Sequence, residues 1–329
     1  MDFLLTIIDE VIGFLGLSRA LEAIRAGGLG ELSTNDLVLA IVLPIIPLLL
    51  IFEAIVAVIR KNPHAKVYKV AFLIYVFNRF VGRFVAIGMM AICVGLFHDY
   101  ALFQTTLTWY WLIYGYVVWE FGHFVYHYLA HKVRLLWCLH STHHAPESMN
   151  LSVNYAHFFL EGPYAAAIRT TICILLGVQP ELLLLIMLID GTYGAFIHLG
   201  ENVMKDARFG LMQKWLLTPS HHRVHHARNP LYIDTNFCNL LNIWDRVFKT
   251  YQEEHAEVDI EYGISRPVDS GSFIDVYFGE FVALFRDVYA APGLINKVRY
   301  LVMPPGWHHS GQHKTASMIR EEYLQAEFS

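Results

Sequence analysis

LTWYWLIYGYVVWEFGHFVYHYLAH, residues 107–131, changes character halfway along. From Leu107 to Trp119 it is apolar and aromatic, the character of a helix inside a bilayer. From there on Glu120, His123, His127 and His131 recur at the spacing of one helical face. His127 and His131 stand at i and i+4, so a helix projects both imidazoles from one side, where they bind one metal or flank two. Two more clusters follow, His140/His143/His144 and His222/His225/His226, and both have the spacing H-x-x-H-H. In each, the first and fourth residues are expected on one face with the fifth beside it, so that one turn offers three nitrogens. Imidazole is the common neutral ligand of iron, zinc, copper and nickel, and histidines this dense are costly without a metal. Eight nitrogens exceed what one ion of about four to six ligands uses, so two metals are expected. His198, at the end of an apolar run, is expected as a ninth ligand. The chain has 18 histidines, and isolated ones such as His157 and His255 read as surface or internally satisfied residues.

The surroundings of this stretch are those of an integral membrane protein. Of the 329 residues 55% are hydrophobic and only 16% charged, and the mean hydropathy is +0.40. Residues 37–59 form an apolar run broken only by Glu53, long enough to span a hydrocarbon core of about 30 Å, and Pro44 and Pro47 are expected as a tolerated kink within it. A second span is expected from Val70 to Phe97, with Arg79 and Arg83 turned inward or toward headgroups. Residues 107–131 supply the third. Stretches 164–178, with Arg169, and 180–199, with Glu181 and Asp190, meet at Gln179 and are expected to form a tight helical hairpin. Arg60, Lys61, Lys66 and Lys69 follow the first span, whereas residues 98–106 carry no lysine or arginine. The positive-inside rule therefore puts residues 60–69, and with them all three histidine clusters, on the cytoplasmic side. The fold class expected is all-α: a polytopic membrane protein of about four transmembrane or re-entrant helices under a histidine-rich helical cap.

Three regions follow from this reading: an N-terminal interfacial arm over 1–36, a membrane and di-metal domain over 37–265, and an amphipathic segment with a polar tail over 266–329. Residues 3–16 lack the basic start and small-residue cleavage site of a signal peptide and read as an interfacial or membrane-packing helix. The amphipathic stretch near 272–290 is expected to cover the metal site or to bind a partner. Cys93, Cys138, Cys173 and Cys238 are widely spaced and read as small buried apolar residues. A net charge of −5 without any long basic run argues against nucleic acid as a partner.

The donor set narrows the chemistry. The boxes contain no thiolate, and no H-E-x-x-H is present, which argues against a zinc protease. Glu120-Phe-Gly-His123 is one copy of a Glu-x-x-His motif, where soluble di-iron bundles use two. A metal transporter is a reading of another class, but it would place its ligands at the midplane of its spans.

The series H-x-x-x-H, H-x-x-H-H, H-x-x-H-H at 127–131, 140–144 and 222–226 resembles the fatty acid hydroxylase and sterol desaturase superfamily. The stretches TPSHHRVHH (218–226), IDTNF (233–237) and IWDRVF (243–248), with Trp137 and the tail's PPGW (304–307), are similar to its alkylglycerol monooxygenase branch. Lys132 departs from the acidic residue that typically follows the first box in the animal enzymes of that branch. The resemblance implies two iron ions, O2 as co-substrate, a lipid substrate in the bilayer and a separate electron donor, with tetrahydrobiopterin among the donors it allows. Hydroxylation of a lipid C–H bond is the leading expectation, with sterol or isoprenoid desaturation or methyl oxidation as the alternative. Glu120, Asp234 and Asn236 are the polar groups expected to support the ligands. Turn capping is the competing role for Asp234 and Asn236, and a headgroup contact for Glu120.

Overall fold

The computed structural model describes residues 2–26, 44–61, 66–81 and 85–327. Among these, every regular element is helical, and pairing of extended backbone is limited to two isolated bridges, Leu216 with Leu241 and Ala227 with Tyr262. The chain divides into two compact units, Met1–Asn62 and Pro63–Ser329.

The first unit holds α1 (Asp2–Phe14), α2 (Ser18–Ala26) and α3 (Ile45–Ile59). Pro44 caps α3 and Pro47 lies in its first turn, where a missing N–H forfeits no helical bond; the expected kink is therefore a helix start. Of the predicted 37–59 span, residues 37–43 lie outside the described residues. The 15 residues of α3 reach only about 22 Å at about 1.5 Å each.

The second unit contains α4 (Lys66–Val81), α5 (Val85–Phe97), α6 (Trp109–Lys132), α7 (Arg134–His144), α8 (Glu161–Leu175) and α9 (Pro180–Ile197). After these come α10 (Pro219–His225), α11 (Ile243–Val247), α12 (Phe273–Ala290), α13 (Gly293–Val302) and α14 (Ala316–Glu327). The predicted 70–97 span falls in two helices, α4 and α5, each shorter than the roughly 20 residues a crossing takes. Arg83 and the side chain of Arg79 lie outside what is described. By length and apolarity one described helix, α9, is able to cross a membrane; α3 and the stretch Val85–Tyr100 are apolar but shorter.

At 24 residues, α6 is the axis of this unit. The expected 164–199 hairpin is corrected here: α8 and α9 do not run along one another, and each packs on α6, α8 lying also against α5. Two glycines of α6 explain the choice. At Gly122 a Cβ would stand 3.1 Å from Arg169 Cα of α8, and at Gly115 it would stand 2.9 Å from Ile186 Cδ1 of α9, so both helices come close to α6, a larger residue at Gly122 pressing on backbone and one at Gly115 on a side-chain end. Tyr116, Val118 and Trp119 fill the space between them with Cys173, Leu182 and Ile186. Arg169, the charge inside the 164–178 stretch, turns inward over the Trp119 and Tyr126 rings and lies 3.7 Å from Asp190. A second core joins α4 and α12 to the segment after α7 through Ile74, Ala145, Phe158 and Tyr277. All four cysteines are buried and free.

Candidate metal centre

Val133, in extended conformation, breaks the helix between α6 and α7 and folds the second histidine box back against the first. The third box lies on α10, seven residues long and set by a reciprocal cap. The Thr218 side chain accepts the His221 N–H, His221 Nδ1 accepts the Thr218 N–H, and Pro219 occupies the first turn. His198 caps the C-terminus of α9. These four elements bring nine buried imidazoles together in two groups: His127, His131, His140, His144 and His225, then His143, His198, His222 and His226. Within each group the candidate ligand atoms all lie within 4.8 Å of one another.

Each H-x-x-H-H box is thus divided between the groups, where the sequence reading kept its first and fourth residues together. On a helix of about 100° per residue, i and i+4 differ by about 40° while i+3 lies about 60° to the other side. His140 and His144 accordingly face the first group and His143 the second, and His222 and His226 face the second with His225 in the first. The two boxes interdigitate: the His144 and His226 rings stack at 4.3 Å, and His143 meets His226 at 4.6 Å. His123 joins neither group; its Nδ1 stands 4.0 Å from Asp190.

The nitrogens are oriented from behind. Nδ1–H of His127 donates to the Phe237 carbonyl (2.9 Å), of His143 to Val153 (3.1 Å), of His198 to Gly194 (2.5 Å) and of His225 to Thr235 (2.8 Å). Two more donate to carboxylates: His140 to Glu161 Oε1 (2.6 Å) and His131 to Asp234 Oδ1 (3.1 Å). Each of these rings then presents a bare Nε2 lone pair. His127 and His140 Nε2 face each other at 2.9 Å, and so do His198 and His222; His131 and His225 Nε2 are buried with no partner. Burial first, then the neighbouring imidazoles, hold His143, His144, His222 and His226 well below the ordinary histidine pKa, and His225 likewise, which favours neutral rings at these positions. A cation between them satisfies every lone pair at once, and the donor set fits two borderline metal ions.

The expected supporting residues divide. Asp234, in left-handed backbone at φ 58°, bonds His131 and Lys132 Nζ (2.5 Å), so it touches the centre. Glu120 instead accepts backbone N–H groups of Asn239, Leu240 (3.2 Å) and Leu241 (3.1 Å), clasping the loop after the third box to α6. Asn236, at φ 57°, donates to the carbonyls of His221 and Gln252 and ties that loop to its neighbours. Sequence reasoning missed three residues. Glu161 holds His140 with one oxygen and His157 Nδ1–H (2.8 Å) with the other, while the His157 ring stacks on His143 at 4.3 Å. Asp245 accepts the N–H groups of Phe237 and Cys238, fixing the carbonyl that orients His127. The i, i+4 pair His157/Glu161, just beyond the second box, was the legible signal for the first two.

A cavity of about 550 Å³ opens onto His131, His144 and His225 beside Trp137, and the C-terminal segment from Pro304 to Ile319 forms its opposite wall. The covering role expected of the 272–290 stretch is shared: Glu280 and Ala283 of α12, which packs on α7 and α4, line the cavity together with the tail and α14. Gly306, at φ 82°, allows the PPGW turn to lie against Lys314, where a Cβ would collide with the carbonyl.

The chain is 31% identical to human alkylglycerol monooxygenase over 216 residues, which is 64% of this chain and 46% of that protein. It is 32% identical to the Xenopus tropicalis alkylglycerol monooxygenase over 190 residues, 57% of this chain and 40% of that one. Against an ornithine lipid hydroxylase of Rhizobium tropici it is 30% identical over 161 residues, 49% of this chain and 47% of that one. The chain spans less than half the length of each of these relatives. No solved structure matches it. Residues 112–250, which carry every box histidine, His198, Glu161 and Asp234, match the fatty acid hydroxylase family model.

Proposed function

We propose that this chain is a membrane-bound di-iron enzyme that inserts one oxygen atom of O2 into a C–H bond of a lipid. The balanced reaction takes one O2, two electrons and two protons for each C–H bond and returns an alcohol and one water. The observation that carries this reading is the gathering of nine buried imidazoles into groups of five and four, six of them with Nδ1 held from behind, inside a domain shared with two kinds of lipid hydroxylase. Iron held by the two groups supplies the O2 reduction and the C–H cleavage.

The chain's own residues do the rest. Phe237, Val153, Gly194 and Thr235 carbonyls fix ring orientation through Nδ1, so the nitrogens are set before a metal arrives. Trp137 packs against His131 at 5.1 Å and His144 at 5.6 Å, walling the cavity on that side with an apolar ring. A small lipid head or a soluble reductant reaches the first histidine group by that cavity. The electrons come from a separate donor, with a reduced pterin among the candidates. For substrate class we take lipids with a small polar head and long alkyl chains, supported by the alkylglycerol and ornithine lipid in the relatives' names.

Placement in the bilayer is part of the proposal. Exposed Leu184, Leu185, Leu188 and Ile189 on α9, Ile87, Ile92 and Leu96 on α5, and Leu48, Phe52 and Ile55 on α3 suit contact with lipid. The basic residues Arg60, Lys61, Lys66 and Lys69 support a cytoplasmic position for the histidine-rich cap.

Metal analysis and O2-dependent lipid oxidation on one detergent-purified sample, wild type beside His143→Ala, test the reading. Two irons per chain, and a product heavier by one oxygen atom that the variant does not form, are expected. A product lighter by two hydrogens would move the assignment to desaturation. Zinc alone, with no oxygen uptake under any reductant, would overturn it.

A further inference from the structure

The two histidine groups differ in what stands behind them. In the group of five, buried carboxylates accept the Nδ1–H of two ligands, Glu161 from His140 and Asp234 from His131. In the group of four, His143 and His198 donate to backbone carbonyls, and His222 Nδ1 is buried without a partner. No carboxylate accepts from a ring of that group among the described residues. Its nearest link to one is indirect, through His157, which stacks on His143 and donates to the second oxygen of Glu161.

We infer that the two groups hold metal unequally, the five-histidine site being the tighter, and that Glu161 is the positioning residue responsible. Two physical effects act in the same direction. A carboxylate hydrogen-bonded to the far nitrogen of an imidazole raises the basicity of the near one, and an anion behind the ring stabilises the added positive charge of the metal. His140 is the ring where this matters most, because its Nε2 faces both His127 (2.9 Å) and His144 (3.1 Å) and so stands at the middle of the five. Asp234 contributes less, since Lys132 Nζ neutralises it at 2.5 Å. Glu161 has only imidazoles as partners. The inference rests on the metal-binding reading of the histidines and adds an order of filling to it: the five-histidine group loads first and empties last.

Equilibrium titration of the metal-free full chain with Zn²⁺ in competition with a chelator of known affinity tests this. Wild type should bind two equivalents in steps separated by at least about tenfold. Glu161→Gln keeps one acceptor oxygen for His140 but removes the charge, and it should weaken the tighter step by about 10–100-fold while leaving the weaker one within about twofold. A merely structural role for Glu161 would weaken both steps alike and would overturn the assignment, as would coincident steps in the wild type. Should Glu161→Gln fail to fold, His222→Ala decides: loss of the weaker step supports the order of filling, and loss of the tighter step refutes it. Fewer than two equivalents in the wild type would refute the two-metal reading itself, an outcome distinct from two equal sites.

Discussion

At the scale of single residues, the centre is built by hydrogen bonds that leave one nitrogen of each ring free, and Asp234 shows how a short polar side chain serves two ends. Its backbone lies at φ 58°, a conformation that Asn adopts readily and β-branched or larger residues do not. Its carboxylate meanwhile orients His131 and pairs Lys132. Asp234→Asn should therefore keep the fold and the turn but lose the charge behind His131. The expected result is unchanged thermal unfolding of the metal-free protein with iron retention reduced, by no more than about tenfold, which chelator dialysis followed by metal analysis measures. Asp234→Val should in addition lose about 1–3 kcal/mol through backbone strain. Asp245 is a purely structural counterpart. It is fully buried and accepts from Phe237 N–H at 2.7 Å, Cys238 N–H at 2.9 Å and the Thr250 hydroxyl at 2.7 Å, so Asp245→Ala leaves buried donors unpaired. That variant should lose at least about 1–3 kcal/mol, seen as a lowered unfolding midpoint, because an orphaned buried group costs that much by itself.

At the scale of elements, helix–helix distance around α6 is set by two glycines that meet different neighbours, and the difference gives an ordered prediction. A methyl at Gly122 would press on the backbone of Arg169, which cannot yield without moving α8. At Gly115 it would press on the Cδ1 of Ile186, the far end of a flexible side chain. Gly122→Ala should cost about 1–3 kcal/mol as an overpacked contact, and Gly115→Ala should cost less. Parallel thermal unfolding of the two variants checks the ranking, and equal losses would mean that α9 is held as rigidly as α8. These contacts also mark where sequence reading stopped. The extents of α6, α9 and α12 follow from apolar runs and periodicity, and the pairing of His127 with His131 follows from i, i+4 spacing alone. That α8 and α9 both seek α6 does not follow, because a hairpin and two separate packings share one hydropathy pattern. The division of each H-x-x-H-H box between two groups was available from helical phase, but only once two partners on opposite sides are known. Glu161 left only the i, i+4 pairing with His157 as a trace, since its bond to His140 spans 21 residues, and Asp245 left none, because its partners are backbone donors.

At the scale of the whole molecule, the centre stores a dependence on pH whose sign can be derived. His143, His144, His222, His225 and His226 are held below their ordinary pKa by burial and by one another, so folded chains keep them neutral at a pH where unfolded chains protonate them. Below about pH 6.5 the unfolded state therefore binds more protons, and stability falls as pH falls, by about 1.4 kcal/mol per pH unit for each such histidine until its own folded pKa is reached. Above that pH both states are neutral and the contribution is flat. Against a total of about 5–15 kcal/mol, several histidines acting together are enough to unfold the metal-free protein within a few units of acidification. Metal at the same nitrogens competes with the protons and binds only the folded arrangement, so the loaded protein should unfold at a lower pH than the metal-free one. Acid titration of both forms, followed by helical circular dichroism in the same detergent, should show two separated transitions, with metal release coinciding with the lower one. Coincident transitions would mean that the imidazoles do not hold the metal that stabilises the fold.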